Sequence, residues 1–151
     1  QKTAEKIRRL IPGVAITTDI IVGFPGESEA NFRNTVNFVQ RIEFARAHIF
    51  PYSKRTGTPA ANYPNQVDAQ EKKRRAQILQ EISKEAANKF QASFVGQQTE
   101  VLWENFASNT LDGLSGNYLR VYAAGQESAV GKLQRVMIEK FQDNKLWGKI
   151  L

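Results

Sequence analysis

Apolar positions along the chain change their spacing several times, and each change predicts a different element. Ile7 and Leu10 stand three apart, which predicts a helix ending at the Pro12-Gly13 break. From Val14 to Val22 nearly every residue is apolar or β-branched, interrupted only by Asp19. A short, continuously apolar run after a helix predicts a buried parallel strand. Gly23-Phe24-Pro25-Gly26 ends that strand. Ser28 can cap a following helix, and Glu27 and Glu29 suit its positive end. Phe32, Val36, Val39 and Ile42 then recur at helical spacing and predict its buried face. Phe44 to Phe50 predicts a second strand, closed by Pro51. Helix, strand, helix, strand is the order of an α/β fold with a parallel sheet.

Residues 51–67 hold Pro51, Gly57, Pro59 and Pro64 and predict a long ordered loop, a length that is usually functional or a linker. Asp68 to Val95 predicts a long helix, with Ala76, Leu79, Ile82, Ala86, Phe90 and Phe94 along one stripe and Gly96 as its stop. Beyond it the pattern becomes strand-like: Thr99–Phe106, Asn117–Ala123, Leu133–Phe141 and Lys145–Leu151. Gly113, Gly116, Gly125, Gly131 and Asp143-Asn144 punctuate these runs, which predicts a small antiparallel barrel. The expected organisation is therefore an α/β part over 1–67, a connecting helix over 68–95 and a β-barrel over 96–151.

Composition narrows the chemistry. The 151 residues contain no cysteine and one histidine, His48. Disulfides, thiolate zinc sites, cysteine nucleophiles and a cysteine-ligated iron–sulfur cluster are excluded within these residues. No apolar run approaches the roughly 18 residues that span a bilayer, and no secretory leader is visible. The net charge of +6 favours a polyanionic partner, with nucleic acid first. Residues 96–151 carry six basic and six acidic side chains, so the excess lies in the first two thirds.

Four segments stand out. Asp19–Glu27 is a strand running into a glycine-rich turn and a helix N-terminus, where a ligand can approach the backbone and an anion is favoured. It lacks the Lys-Ser/Thr of a phosphate loop. His48–Ala60 offers Phe50 and Tyr52 for stacking and Lys54 and Arg55 for carboxylate or phosphate. A lone histidine in an apolar strand predicts a packed side chain, so no catalytic role falls to His48. Lys72, Lys73, Arg74 and Arg75 form a basic helix turn that is either a solvated face or a phosphate contact. In the last third, Tyr118 and Arg120 share one face of a predicted strand and suit RNA. No hydrolytic triad can be assembled.

Taken in order, TTDIIVGFPGES, HIFPYSKRTGTPAA, a basic helix, VLWEN and GNYLRVYA resemble the radical SAM methylthiotransferases over essentially the whole chain. The resemblance implies the C-terminal part of a partial (β/α) radical SAM barrel followed by a TRAM domain, a small RNA-binding β-barrel. The FPYS-x-R-x-GTPAA form looks most like enzymes that methylthiolate C2 of threonylcarbamoyladenosine in tRNA. Enzymes acting on isopentenyladenosine or on a ribosomal-protein aspartate are alternatives, as is a stand-alone RNA-binding module. The family uses S-adenosylmethionine and two [4Fe-4S] clusters, whose cysteine motifs are absent here, so the resemblance implies a piece of a longer polypeptide, inactive alone and without catalytic residues of its own. It implies one wall for the SAM adenine at Val22, Gly23, Phe24, Pro25 and Gly26, and a second at Phe50, Pro51, Tyr52 and Ser53. Glu27 receives no proton-transfer role, with helix capping its alternative. The implied partner is the anticodon stem-loop of a cytoplasmic tRNA, with no membrane. Because the charge excess lies outside the last third, RNA contact is expected on a composite surface of Lys54, Arg55, Lys72–Arg75, Tyr118 and Arg120.

Overall fold

The first helix, α1 (Lys2–Leu10), stops two residues short of Pro12, and the chain enters strand β1 (Thr17–Val22). Helix α2 (Glu29–Ile42) follows and returns the chain to β2 (Arg46–Pro51), which lies parallel to β1 in register from Thr17↔Arg46 to Val22↔Pro51. Ser28 caps α2, its hydroxyl accepting from the Asn31 amide, and Glu43 closes the helix in the left-handed conformation. Arg8 donates to the carbonyls of Ile42 and Glu43, so α1 satisfies the open end of α2. After a loop containing one 3₁₀ turn (Pro59–Asn62), α3 (Ala69–Ala92) begins behind Asp68, whose carboxylate accepts from the Gln70 and Glu71 amides.

The computed structural model describes residues 1–151, which divide into two compact units. The first comprises residues 1–10 and 16–87, the second 11–15 and 88–151. The long helix is not a separate connector. Ala76 and Leu79 belong to the core of the first unit, while Phe90 and Phe94 pack into that of the second. One sequence stripe thus serves two cores.

The first core gathers Val22, Phe32, Val39, Ile42, Phe44, Ala76 and Leu79, with Ile20 and Ile49 against it. The two-stranded sheet is covered on that face alone. Thr17, Asp19 and Ile21 of β1 and Arg46, His48 and Phe50 of β2 point the other way and are exposed. The apolar run is therefore not buried on both sides: Ile21 is 57% exposed and Phe50 51%. His48 is likewise exposed rather than packed, with its ring stacked 6.4 Å from that of Phe50.

The second unit is a closed five-stranded barrel in the order β3-β4-β5-β7-β6, formed by β3 (Gln98–Ala107), β4 (Thr110–Ser115), β5 (Arg120–Ala124), β6 (Leu133–Gln142) and β7 (Lys145–Ile150). The expected antiparallel barrel is mixed, because β5 and β7 pair parallel. A ring with an odd number of strands cannot alternate direction throughout. Its interior holds Val101, Trp103, Leu111, Val121, Val136, Ile138 and Leu146, all fully buried. Strand β4 escapes a hydrophobic reading because Gly113 and Ser115 occupy inward positions after Leu111. Gly113 is no turn residue. A Cβ there would lie 2.2 Å from the Leu102 carbonyl oxygen, beside the register shift between Trp103 and Asn105. Two tight turns, Ser108-Asn109 and Asp143-Asn144, use left-handed backbone at both residues and close the β3–β4 and β6–β7 hairpins.

Gly113→Ala should lower the unfolding free energy of the barrel by about 1–3 kcal/mol, since backbone must move to admit the methyl group. Gly116→Ala, where an added Cβ meets nothing within 4 Å, should leave it almost unchanged. Urea titration of both variants checks the pair, and equal stability would contradict the close approach at Gly113.

Candidate functional site

The glycine turn after β1 is shaped by one carboxylate. Glu27 Oε2 accepts from the Gly23 amide at 2.6 Å and from Arg75 Nη1 at 2.7 Å. The same Arg75 nitrogen donates to the Glu27 carbonyl, and Arg75 Nε donates to Glu71 on α3. The Arg75 guanidinium also lies 5.2 Å from the centre of the Phe32 ring. The side chains of Arg75 and Glu27 are only 6% and 12% exposed. Glu27 thus neither caps α2, a task taken by Ser28, nor faces open solvent. It ties the turn to α3. Gly23 sits at φ +70°, and a Cβ there would meet Lys72 Cγ at 2.1 Å. Gly23→Val would therefore disturb α3 whether or not a ligand binds.

The two segments expected to form a ligand wall leave neighbouring strands. The Tyr52 amide donates to the Val22 carbonyl, carrying the pairing one residue past β2. The side chains divide by face. Val22 is wholly buried in the core and offers no side-chain wall, and Gly23 is buried against Lys72. Phe24, 42% exposed, packs edge-on to Tyr52 and Tyr63, and the Gly26 amide donates to the Asn65 carbonyl, so the turn and the 51–67 loop hold one another. Pro25 is half-buried, while Gly26, Pro51 and Ser53 are exposed. Pro51, Tyr52, Ser53 and Lys54 line a groove of about 670 Å³ with Lys72, Lys73 and Gln77 of α3. The Tyr52 hydroxyl is buried without a hydrogen-bond partner. The open apolar surface is supplied by Phe50 and by Ile21, which the sequence reading missed. Its signal was present: in a strand whose Val22 must reach the core, the preceding residue points to the opposite face.

The basic residues fare unevenly. Lys54, Arg55 and Lys73 are exposed. Lys72 Nζ donates to the Tyr52 carbonyl. Arg74 pairs with Glu71 and Glu29, and Arg75 is buried among Glu27 and Glu71. The Lys72–Arg75 turn is therefore neither a uniformly solvated face nor a set of free phosphate ligands. Burial works against the Arg75 charge, but hydrogen bonds to Glu27 and Glu71 outweigh it and raise its pKa. Hydrogen bonds from Arg74 and then Arg75 hold the Glu71 carboxyl at about 2, below its ordinary 4.5. In the barrel, Arg120 donates to Glu104 at 2.7 Å and to Asp112 at 2.6 Å, so it too is spent on carboxylates. Tyr118 lies in the turn before β5 and not on a strand face with Arg120: it is 82% exposed at φ +62°, its amide donating to the Ser115 carbonyl.

Glu27→Ala strands a buried guanidinium and should cost about 3–5 kcal/mol. Replacing Glu27 by Leu and Arg75 by Met together should recover much of that loss while leaving the Gly23 amide exchanging faster with solvent. Calorimetry and amide exchange check both. The lowered Glu71 pKa stabilises the fold above about pH 4.5 and is lost as the pH falls towards about 2. Glu71→Gln should accordingly flatten the fall of thermal midpoint across that interval.

No protein-family model matches the chain. It is 39% identical over 140 residues to a threonylcarbamoyladenosine tRNA methylthiotransferase of Bacillus subtilis, covering 89% of this chain and 31% of the relative. It is 42% identical over 146 residues to a tRNA-2-methylthio-N(6)-dimethylallyladenosine synthase of Thermoanaerobacter sp. strain X514, covering 95% and 30%. Against the synthase of the same kind from Moorella thermoacetica the identity is 40% over 149 residues, covering 96% and 33%. The chain spans about a third of the length of the curated relatives it matches. Through some nine-tenths of its residues, then, the chain is a relative of the tRNA methylthiotransferases, the family that its motifs resemble.

Proposed function

We propose that this chain is the C-terminal part of a radical SAM enzyme that methylthiolates C2 of threonylcarbamoyladenosine in the anticodon stem-loop of cytoplasmic tRNA. The observation that carries the reading is the bare face of the β1–β2 sheet. Two parallel strands with helices on one side only, and with Ile21 and Phe50 open on the other, are what the last strands of a (β/α) barrel expose to its interior.

The residues present fit the adenine half of S-adenosylmethionine. Ile21 and Phe50 offer an apolar surface to a planar base. The buried Tyr52 hydroxyl, which has no protein partner, would be satisfied by a polar group of the ligand. Glu27 and Arg75 keep the glycine turn in place beside them. S-adenosylmethionine, when bound, supplies the radical that activates the target carbon and the methyl group. The residues here do not fit an iron–sulfur cluster, having no cysteine and no group of three metal-ligating side chains. Both clusters would belong to other parts of the polypeptide. The second unit, a small barrel with exposed basic and aromatic side chains, is read as a TRAM domain that holds tRNA.

A second reading, modification of dimethylallyladenosine, is favoured by relatives of 40–42% identity that carry that activity in their names. Mass spectrometry of tRNA nucleosides from cells lacking the full gene separates the two. Loss of the methylthiolated threonylcarbamoyl nucleoside is expected. Loss of the dimethylallyl counterpart instead would establish the second reading, and loss of neither would overturn both. In the full-length enzyme, Phe50→Ala should raise KM for S-adenosylmethionine about tenfold, in line with loss of roughly 1.4 kcal/mol of apolar contact. An unchanged KM would remove Phe50 from the wall.

A further inference from the structure

The barrel is neutral by count, but its charges are sorted by position. Of its six basic residues, Arg120 is held by Glu104 and Asp112. Three of the others, Lys140, Lys145 and Lys149, fall on one exterior face with two aromatic rings. The pairing settles this. Tyr122 stands opposite Trp147 across β5 and β7, and Lys140 stands opposite Trp147 across β6 and β7. Directly opposed residues share a face, so all three point outward, while Val121, Ile138 and Leu146 fill the interior. The register shift between Ile138 and Lys140 allows the first to stay inside and the second to turn out. Lys145 and Lys149 lie two residues either side of Trp147, about 7 Å along the strand.

The rings of Tyr122 and Trp147 are 5.5 Å apart, and Lys145 Nζ lies 4.9 Å from the centre of the Tyr122 ring. The nearby carboxylates are Asp112, opposite Tyr122 across β4 and β5 and already paired with Arg120, Glu139, in the irregularity of β6, and Asp143, in the following turn, and none of them forms an ion pair with these lysines. Half-exposed aromatic rings among unpaired lysines match a partner that is both planar and polyanionic.

We infer that the outer face of β5, β7 and β6, centred on Trp147 and Tyr122 with Lys140, Lys145 and Lys149 around them, is the surface on which the barrel binds unpaired RNA. The inference rests on the proposed tRNA function and replaces Arg120 as the cationic element of the barrel. Bases stack on the two rings and phosphates meet the lysines.

Tryptophan emission reads this surface directly. The other tryptophan, Trp103, is fully buried and donates to Gln134 at 2.9 Å, which leaves Trp147 as the one a ligand can reach. Titrating the 151-residue chain with a fluorescein-labelled anticodon stem-loop transcript should quench tryptophan emission as anisotropy rises. Trp147→Phe should abolish the quenching and largely keep the affinity, since a ring remains. Trp147→Ala should weaken binding roughly 5- to 100-fold. Changing Lys140, Lys145 and Lys149 to Gln should reduce the slope of log affinity against log salt by about 2. If the parent chain binds the transcript and these variants bind it equally well, the surface is wrong while the tRNA reading survives. If the parent binds no transcript at any salt concentration, the tRNA reading itself fails. Equal quenching by polyglutamate would mark a general polyanion site and overturn the assignment to RNA.

Discussion

The buried Arg75 guanidinium is the point on which the first unit turns. A charge removed from water is costly unless its donors are met. Here Glu27, the Glu27 carbonyl and Glu71 meet them, and the ring of Phe32 lies beside them. Because Glu27 also accepts from the Gly23 amide, one cation on α3 reaches the backbone of the turn that follows β1. The glycine at φ +70° leaves room for Lys72, whose ammonium in turn holds the Tyr52 carbonyl after β2. Both strand ends are thus positioned by consecutive turns of a single helix.

That arrangement explains why a run of apolar residues can be half exposed. A parallel pair of strands has two faces, and α2 and α3 cover one of them. The inward residues are set by Val22, which has no exposure at all, and the period of two then sends Ile21, Phe50, Asp19 and His48 outward. Apolar side chains left open beside a braced turn suit contact with another apolar group better than contact with water.

The barrel makes a different use of charge. Its six acidic and six basic residues cancel in sum, yet Arg120 absorbs two carboxylates beside Tyr122, which leaves the three lysines round Trp147 and Tyr122 without a carboxylate partner. What a polyanion meets is the local arrangement, and strand register sets that.

Much was legible in the residues themselves. The helix, strand, helix, strand order, the Ser28 cap, the long helix and the β-rich last third all follow from local patterns, because capping, period and turn chemistry act over a few residues. The resemblance to methylthiotransferases was carried by motifs such as VGFPGE and GTPAA, which survive in sequence whatever they contact. Other features belong to contacts between distant segments. Gly113 looks like a turn residue until the Leu102 carbonyl is found against it. Lys72–Arg75 looks like a free basic patch until Glu27, Glu29 and Glu71 arrive to pair with two of its members. His48 looks like a core residue until the sheet proves to have one covered face. A sequence records which side chains are charged or apolar and how they are spaced. Which charges neutralise one another, and which apolar groups stay open, is decided only when strands and helices far apart in the chain are brought within a few ångströms.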